Sequence, residues 1–244
     1  MYYLNPSTDY RYALKHGMFG TDVAALQINF KNLIVDGEFG DQTEVEVKEF
    51  QEKHALEDDG VAGPVTQRKL VVQRSTKAAE AYPDLPRGFL KSIAQNESNF
   101  IVGAVSKHPS DAGLDVGPYQ VSTGNTLGSQ EFYNFAYSIG ASALETAKDA
   151  NQFASNLSTP VPSRYFDELA GGDEEKFRIQ MTILSHNWPD AAEDIPRYGV
   201  IYEFDLGKDD EPQDWIINAS AGRLKTPREW VHSYVERSTV YIKW

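Results

Sequence analysis

Apolar residues in this chain recur mostly at helical spacing. Phe89, Ile93 and Glu97 fall four residues apart, with Leu90 and Ala94 beside them, and this predicts a helix over 87–99. Val23, Leu26, Phe30 and Leu33 mark an earlier helix, and Val47 and Phe50 share one face of a helix over 42–54. Later patterns predict helices at about 129–139, 142–156, 163–170, 174–187, 189–198, 212–218 and 226–241. The last begins Thr226-Pro227-Arg228-Glu229, with Thr as cap, Pro at the first turn and Glu at the third position. Residues 103–128, rich in Gly, Pro and Ser, read as irregular, and 199–211 as a loop or short β excursion. Residues 71–86 read as a polar connector that ends in Tyr82-Pro83-Asp84-Leu85-Pro86. The expectation is a mainly α protein: a small three-helix domain over 1–78, then a helical domain over 79–244 with a short irregular or β excursion.

Residues 35–43 and 58–66 echo one another. Each copy carries Asp-Gly, two residues, Gly, two residues, Thr: Asp36-Gly37 with Gly40 and Thr43, then Asp59-Gly60 with Gly63 and Thr66. Asp-Gly and the second Gly supply turns. Asp41 or Thr43, and Thr66, are the expected N-caps of the helices that follow.

Composition narrows the chemistry. The chain has 244 residues, 41% of them hydrophobic, enough for a core. Four Trp, thirteen Tyr and twelve Phe suit carbohydrate stacking as well as packing. There is no Cys, which excludes disulfides and thiolate metal sites. The net charge of −13 is spread along the chain without a basic patch, which argues against nucleic acid and anionic membrane surfaces. His16, His54, His108 and His232 lack ligand spacing with acidic residues, so neither a metal nor another cofactor is expected. No apolar run of signal-peptide or membrane-spanning length is present, and the expectation is a protein made soluble in a cytoplasm, without membrane insertion.

The repeat region resembles the peptidoglycan-binding module found at the ends of many cell-wall hydrolases. The resemblance rests on Gly17, Gly20, Val23, Leu26-Gln27, Asp36-Gly37, Phe39-Gly40, Thr43, Phe50-Gln51, Leu56, Asp59-Gly60-Val61, Gly63, Thr66 and Leu70. Most of these are turn glycines, caps and core apolars rather than ligand contacts. Three motifs lie downstream: Glu97-Ser98-Asn99-Phe100 with Ala104-Val105-Ser106, then the segment 113–122 with Gly117-Pro118-Tyr119-Gln120, then Ser185-His186-Asn187-Trp188-Pro189. With Tyr234-Val235, their order and spacing resemble the soluble lytic transglycosylase domain, a lysozyme-like fold.

That second resemblance implies that Glu97 is the catalytic acid/base. It implies a sugar cleft lined by Ser98, Ser106, Gly117, Tyr119, Gln120, His186, Asn187 and Tyr234. His186 stands where the family usually has a Tyr close to the catalytic Glu. A glutamate alone at a helix end is ordinarily a solvated surface group. A carboxylate on an apolar stripe, however, is costly unless partnered or protonated, and burial raises its pKa so that it keeps a proton to donate near neutrality. Cleavage of the β-1,4 bond after N-acetylmuramic acid needs that proton. A transglycosylase then uses the sugar's own 6-hydroxyl as nucleophile, so one carboxylate suffices. A muramidase needs a second, roughly 5–9 Å away; Asp111 and Asp115 are the candidates, each otherwise a solvated turn Asp.

The whole reads as a modular bacteriophage endolysin: a monomer whose partner is bacterial peptidoglycan, made in the host cytoplasm and released to the wall through a holin. Its acidic charge implies wall recognition by hydrogen bonding and stacking. A muramidase and a non-catalytic wall-binding or virion structural protein are the alternatives.

Overall fold

The computed structural model describes residues 8, 10–107, 113–123, 128–157, 159–160, 163–198, 217–218, 224–225 and 227–242. The fold is mainly helical, and the chain gathers into two compact units: Met1–Ala81 with Glu97–Glu145, and Tyr82–Asn96 with Thr146–Trp244.

The first unit opens with α1 (Thr21–Gln27), α2 (Asp41–Lys53), α3 (Pro64–Arg74) and α4 (Thr76–Ala81). Val23, Leu26, Phe39, Val47 and Leu70 are completely buried among them, and Phe30 meets Phe50 edge-on at 5.9 Å. The expected first helix stops early. Asn29 gives its side-chain Nδ2 to the Ala25 carbonyl, and its backbone N–H turns to Leu26 instead, which tightens and ends the helix. The expected N-caps are also corrected: Gly40 and Gly63 occupy those positions without a side-chain cap bond. The two threonines are instead buried and face inward.

There they complete two matching knots. Gln27 Nε2 donates to Asp36 Oδ1 at 2.8 Å, the Glu38 carbonyl at 3.0 Å and Thr43 Oγ1 at 3.1 Å. Gln51 Nε2 donates to Asp59 Oδ1 at 2.9 Å, the Val61 carbonyl at 3.0 Å and Thr66 Oγ1 at 3.1 Å. The Gly37 and Gly60 N–H groups return to the respective Oε1 atoms. The sequence echo is therefore a repeated hydrogen-bond knot that satisfies each loop's backbone.

The expected connector at 71–86 is helical as far as Ala81. Val71, Ser75 and Ala78, at helical spacing, are all buried. The expected irregular stretch likewise contains a sheet, with β1 (Val105–Lys107), β2 (Leu114–Val116) and β3 (Val121–Ser122) antiparallel in that order. The register pairs Ser106 with Asp115 and Asp115 with Ser122. Strands of two or three residues carry too little alternation to be read from sequence. α6 (Gln130–Tyr137) is capped by Ser129, and α7 (Ile139–Asn156) follows.

The helix expected at 87–99 is α5 (Phe89–Ser98), with Phe89, Leu90, Ile93 and Ala94 buried. In the second unit, Gly171 in the left-handed conformation ends α8 (Arg164–Ala170), and Asp173 caps α9 (Glu174–Leu184) through the Lys176 N–H. α9 buries Phe177, Met181, Ile183 and Leu184. It packs against α8, α10 (Pro189–Tyr198) and α11 (Pro227–Ser238). The helix expected at 212–218 is corrected in part: Ile217–Asn218 form β4, which pairs antiparallel with β5 (Leu224–Lys225). The expected β excursion at 199–211 lies outside the described residues, as do Thr226, His108 and Asp111.

Candidate functional site

Glu97 is the penultimate residue of α5 and half-buried, one turn beyond the fully buried Ile93. The chain leaves the helix through Asn99 at φ 52 and Phe100 at φ 64. Two consecutive non-glycine residues in the left-handed region persist only where the surroundings over-determine them. Ser98 supplies one restraint, its buried Oγ donating to the Pro118 carbonyl at 2.9 Å. Phe100, Ile101 and Val102 supply another by burial. The first two motifs are thereby joined.

The second motif is the turn between β2 and β3. Gly117 has φ 79, and its N–H donates to the Ala104 carbonyl at 2.8 Å. Gln120 has φ 46, and the short turn is closed by its N–H on the Gly117 carbonyl at 3.1 Å. The Gln120 side chain is fixed at both ends: Nε2 donates to the Gly117 carbonyl at 2.8 Å, and Oε1 accepts from Ser106 Oγ at 2.8 Å. Ser106 Oγ also lies 3.4 Å from Asp115 Oδ2. Ser106, Asp115 and Gln120 therefore form one polar cluster on the sheet, with Ser106 exposed and the other two half-buried.

Tyr119 sits differently from the expectation. Its ring is completely buried, and its hydroxyl meets Ser75 Oγ at 2.5 Å. Burial pushes its pKa well above the ordinary tyrosine value. Ser75 already gives its single proton to the Val71 carbonyl at 2.7 Å, so the phenol is the donor of the pair.

The third motif and Tyr234 belong to the second unit. The Trp188 N–H bonds the Leu184 carbonyl at 2.8 Å, wrapping 185–188 into a turn between α9 and α10. His186 is half-buried and Asn187 exposed, while Tyr234 on α11 is buried. Among the described residues, no group of three His, Asp or Glu side chains could hold a metal ion. Two histidines do have acidic neighbours that spacing did not reveal: His16 Nε2 lies 2.9 Å from Asp41 Oδ1, and His232 Nε2 lies 3.1 Å from Glu168 Oε2.

A groove in the second unit escaped the sequence reading. Asp149, Gln152, Phe153 and Asn156 on α7 face Glu193 and Arg197 on α10 around a cavity of about 300 Å³. Arg178 fixes the end of α7 by donating to the Ala154 and Leu157 carbonyls at 2.9 and 3.1 Å. The available signal was a mostly polar face at i, i+3, i+4 and i+7, which in a sequence looks like any solvated helix surface.

Comparison with curated proteins gives no match for this chain. Residues 19–70 match the family model described as "Putative peptidoglycan binding domain", which supports a peptidoglycan-binding module in α1–α3 and a cell-wall-associated protein.

Proposed function

We propose that this protein is a peptidoglycan-cleaving glycosidase in which the N-terminal module holds the wall and Glu97 acts as the acid/base. The observation that carries the reading is the constrained exit of α5. A carboxylic acid at a helix end is followed by a left-handed double turn, tied through Ser98 to the turn that presents Gln120. Such strain at a motif residue supports a functional role.

The proposed reaction protonates the glycosidic oxygen between N-acetylmuramic acid and N-acetylglucosamine from the Glu97 carboxyl. The bond from that oxygen to C1 breaks, and the muramyl 6-hydroxyl oxygen bonds to C1. Its proton returns to Glu97, leaving a 1,6-anhydro end with no water consumed. The internal hydroxyl has the advantage of proximity. Ser106 and Gln120, in the same unit as Glu97, offer hydrogen bonds to the glycan. A bacteriophage endolysin, released to the wall through a holin-type lesion, is the biological setting proposed for this chemistry.

One observation favours the muramidase alternative. Asp115 is held in β2 opposite Ser106 rather than in a solvated turn, which suits a second, positioned carboxylate.

The test is Glu97→Gln in the full chain. The amide is nearly isosteric but has no titratable proton, so wall cleavage is expected to disappear while the variant still sediments with purified sacculi. Cleavage within about tenfold of the parent would overturn the assignment, because acid–base catalysis supplies roughly a hundredfold or more. Mass spectrometry of the parent's products separates the two chemistries, since an anhydro end is lighter than a reducing end by one water. Reducing ends together with an inactive Asp115→Asn would establish the hydrolase. A parent that binds sacculi and releases nothing would establish a non-catalytic wall protein.

A further inference from the structure

Three glutamines are buried in the wall-binding module, and one differs from the other two. Gln27 and Gln51 spend both ends of their carboxamides on their own loops. Gln67, 1% exposed, also gives its Nε2 to nearby carbonyls, those of Ala62 and Tyr12 at 3.0 Å each. Its Oε1, however, accepts the Val102 N–H at 2.9 Å, beyond the module and just past the left-handed pair at Asn99 and Phe100. Next to it on α3, the Arg68 guanidinium lies 5.4 Å from the centre of the Phe100 ring. Gly103 is pressed onto α1 so closely that a Cβ there would fall 2.7 Å from Asp22 Cβ. The exit of α5 is thus shaped by α1 and α3 as well as by its own sequence.

We propose that Gln67 is a positioning residue for Glu97, so that the wall-binding module forms part of the catalytic centre rather than a separate anchor. The proposal rests on the assignment of Glu97 above. By holding Val102, Gln67 fixes the strained turn that sets the direction of the α5 terminus and its carboxyl group. Displacement of a catalytic group by about 1 Å lowers turnover by roughly a hundredfold. A change at Gln67, which touches no glycan, is therefore expected to act on kcat rather than on binding.

The experiment compares Gln67→Met with Gln51→Met in the full-length protein. Both remove a buried carboxamide from the module, but only the first touches the Glu97 segment. For Gln67→Met, kcat on purified peptidoglycan is expected to fall about 10–100-fold, with KM and sacculus sedimentation within about twofold and faster hydrogen exchange at the Val102 amide. Gln51→Met is expected to lose stability and to keep kcat per folded molecule within about threefold. A Gln67→Met enzyme with kcat within about threefold of the parent, or an equal kcat loss in Gln51→Met, would overturn the proposal. Should Gln67→Met not fold, Gln67→Asn takes its place, still polar but one methylene too short to hold the Ala62 and Tyr12 carbonyls and the Val102 N–H together, and an unchanged kcat there is equally fatal. Glu97→Gln run in parallel separates the two claims. An active Glu97→Gln removes the acid/base assignment itself, whereas an inactive one beside a fully active Gln67→Met removes only the positioning role.

Discussion

Replacing Gly117 by Ala tests whether the second motif is built by packing or by contact with sugar. Gly117 has φ 79, a conformation that costs an L-residue about 1–2 kcal/mol. A Cβ there would also stand 2.3 Å from the Ala136 carbonyl oxygen, inside the 3.0 Å below which Cβ contacts are essentially never found, and a tight 3.1 Å from its carbon. The obstruction is backbone in α6, so the turn and the helix must move apart, at about 1–3 kcal/mol for overpacking. The sum is about 2–5 kcal/mol, a large share of a typical domain's 5–15 kcal/mol. Gly17→Ala is the control within the same unit: φ is 83, yet a Cβ meets nothing within 4 Å, so only the conformational cost applies. With urea m values of about 1–3 kcal/mol/M, the expected midpoint shifts are about 1–2 M for Gly117→Ala and about half that for Gly17→Ala. Equilibrium unfolding followed by circular dichroism reads both. A Gly117→Ala midpoint no lower than that of Gly17→Ala would refute the clash argument. If that variant also lost cleavage, Gly117 would be left as a point of close glycan approach.

What the sequence disclosed, and what it hid, follows from the range of the interactions involved. α5 was legible because Phe89, Ile93 and Ala94 repeat within a few residues, and the paired loops were legible because Asp-Gly turns are local. Thr43 and Thr66 were misread because a threonine before a helix can cap it or face inward, and the deciding partners, Gln27 and Gln51, lie some fifteen residues upstream. The β1–β3 sheet was hidden by the shortness of its strands. Tyr119 looked like a cleft residue because a motif match carries no record of depth; Ser75, 44 residues earlier, is what holds its hydroxyl in the core. Gln67 was invisible for the same reason, its partner Val102 lying 35 residues on. The chemistry-bearing residue types were therefore readable, whereas the restraints that orient them come from distant parts of the chain.

Tyr119→Phe removes the donor of a buried pair while Ser75 keeps its bond to Val71, so thermal or urea unfolding should show a loss of about 1 kcal/mol. Its cleavage rate should stay within about twofold of the parent; a large loss of rate with unchanged stability would return Tyr119 to the sugar cleft. The paired loops also predict an acid sensitivity. The Glu38 N–H and then the Gln27 carboxamide hold the Asp36 carboxyl below its ordinary 3.8, and the Val61 N–H and Gln51 do the same for Asp59. A depressed folded pKa contributes stability that is complete above the unfolded value, near pH 4, and is lost as pH falls through the folded one. Both carboxylates are largely exposed, so solvent screens the effect and the change should be small. The double variant Asp36→Asn with Asp59→Asn keeps an oxygen that accepts the same bonds but does not titrate. Its urea midpoint should therefore gain on the parent's as pH drops from about 5 to about 3, across the range in which an aspartate protonates. Parallel curves over that range would mean that the knots owe nothing to ionised aspartates.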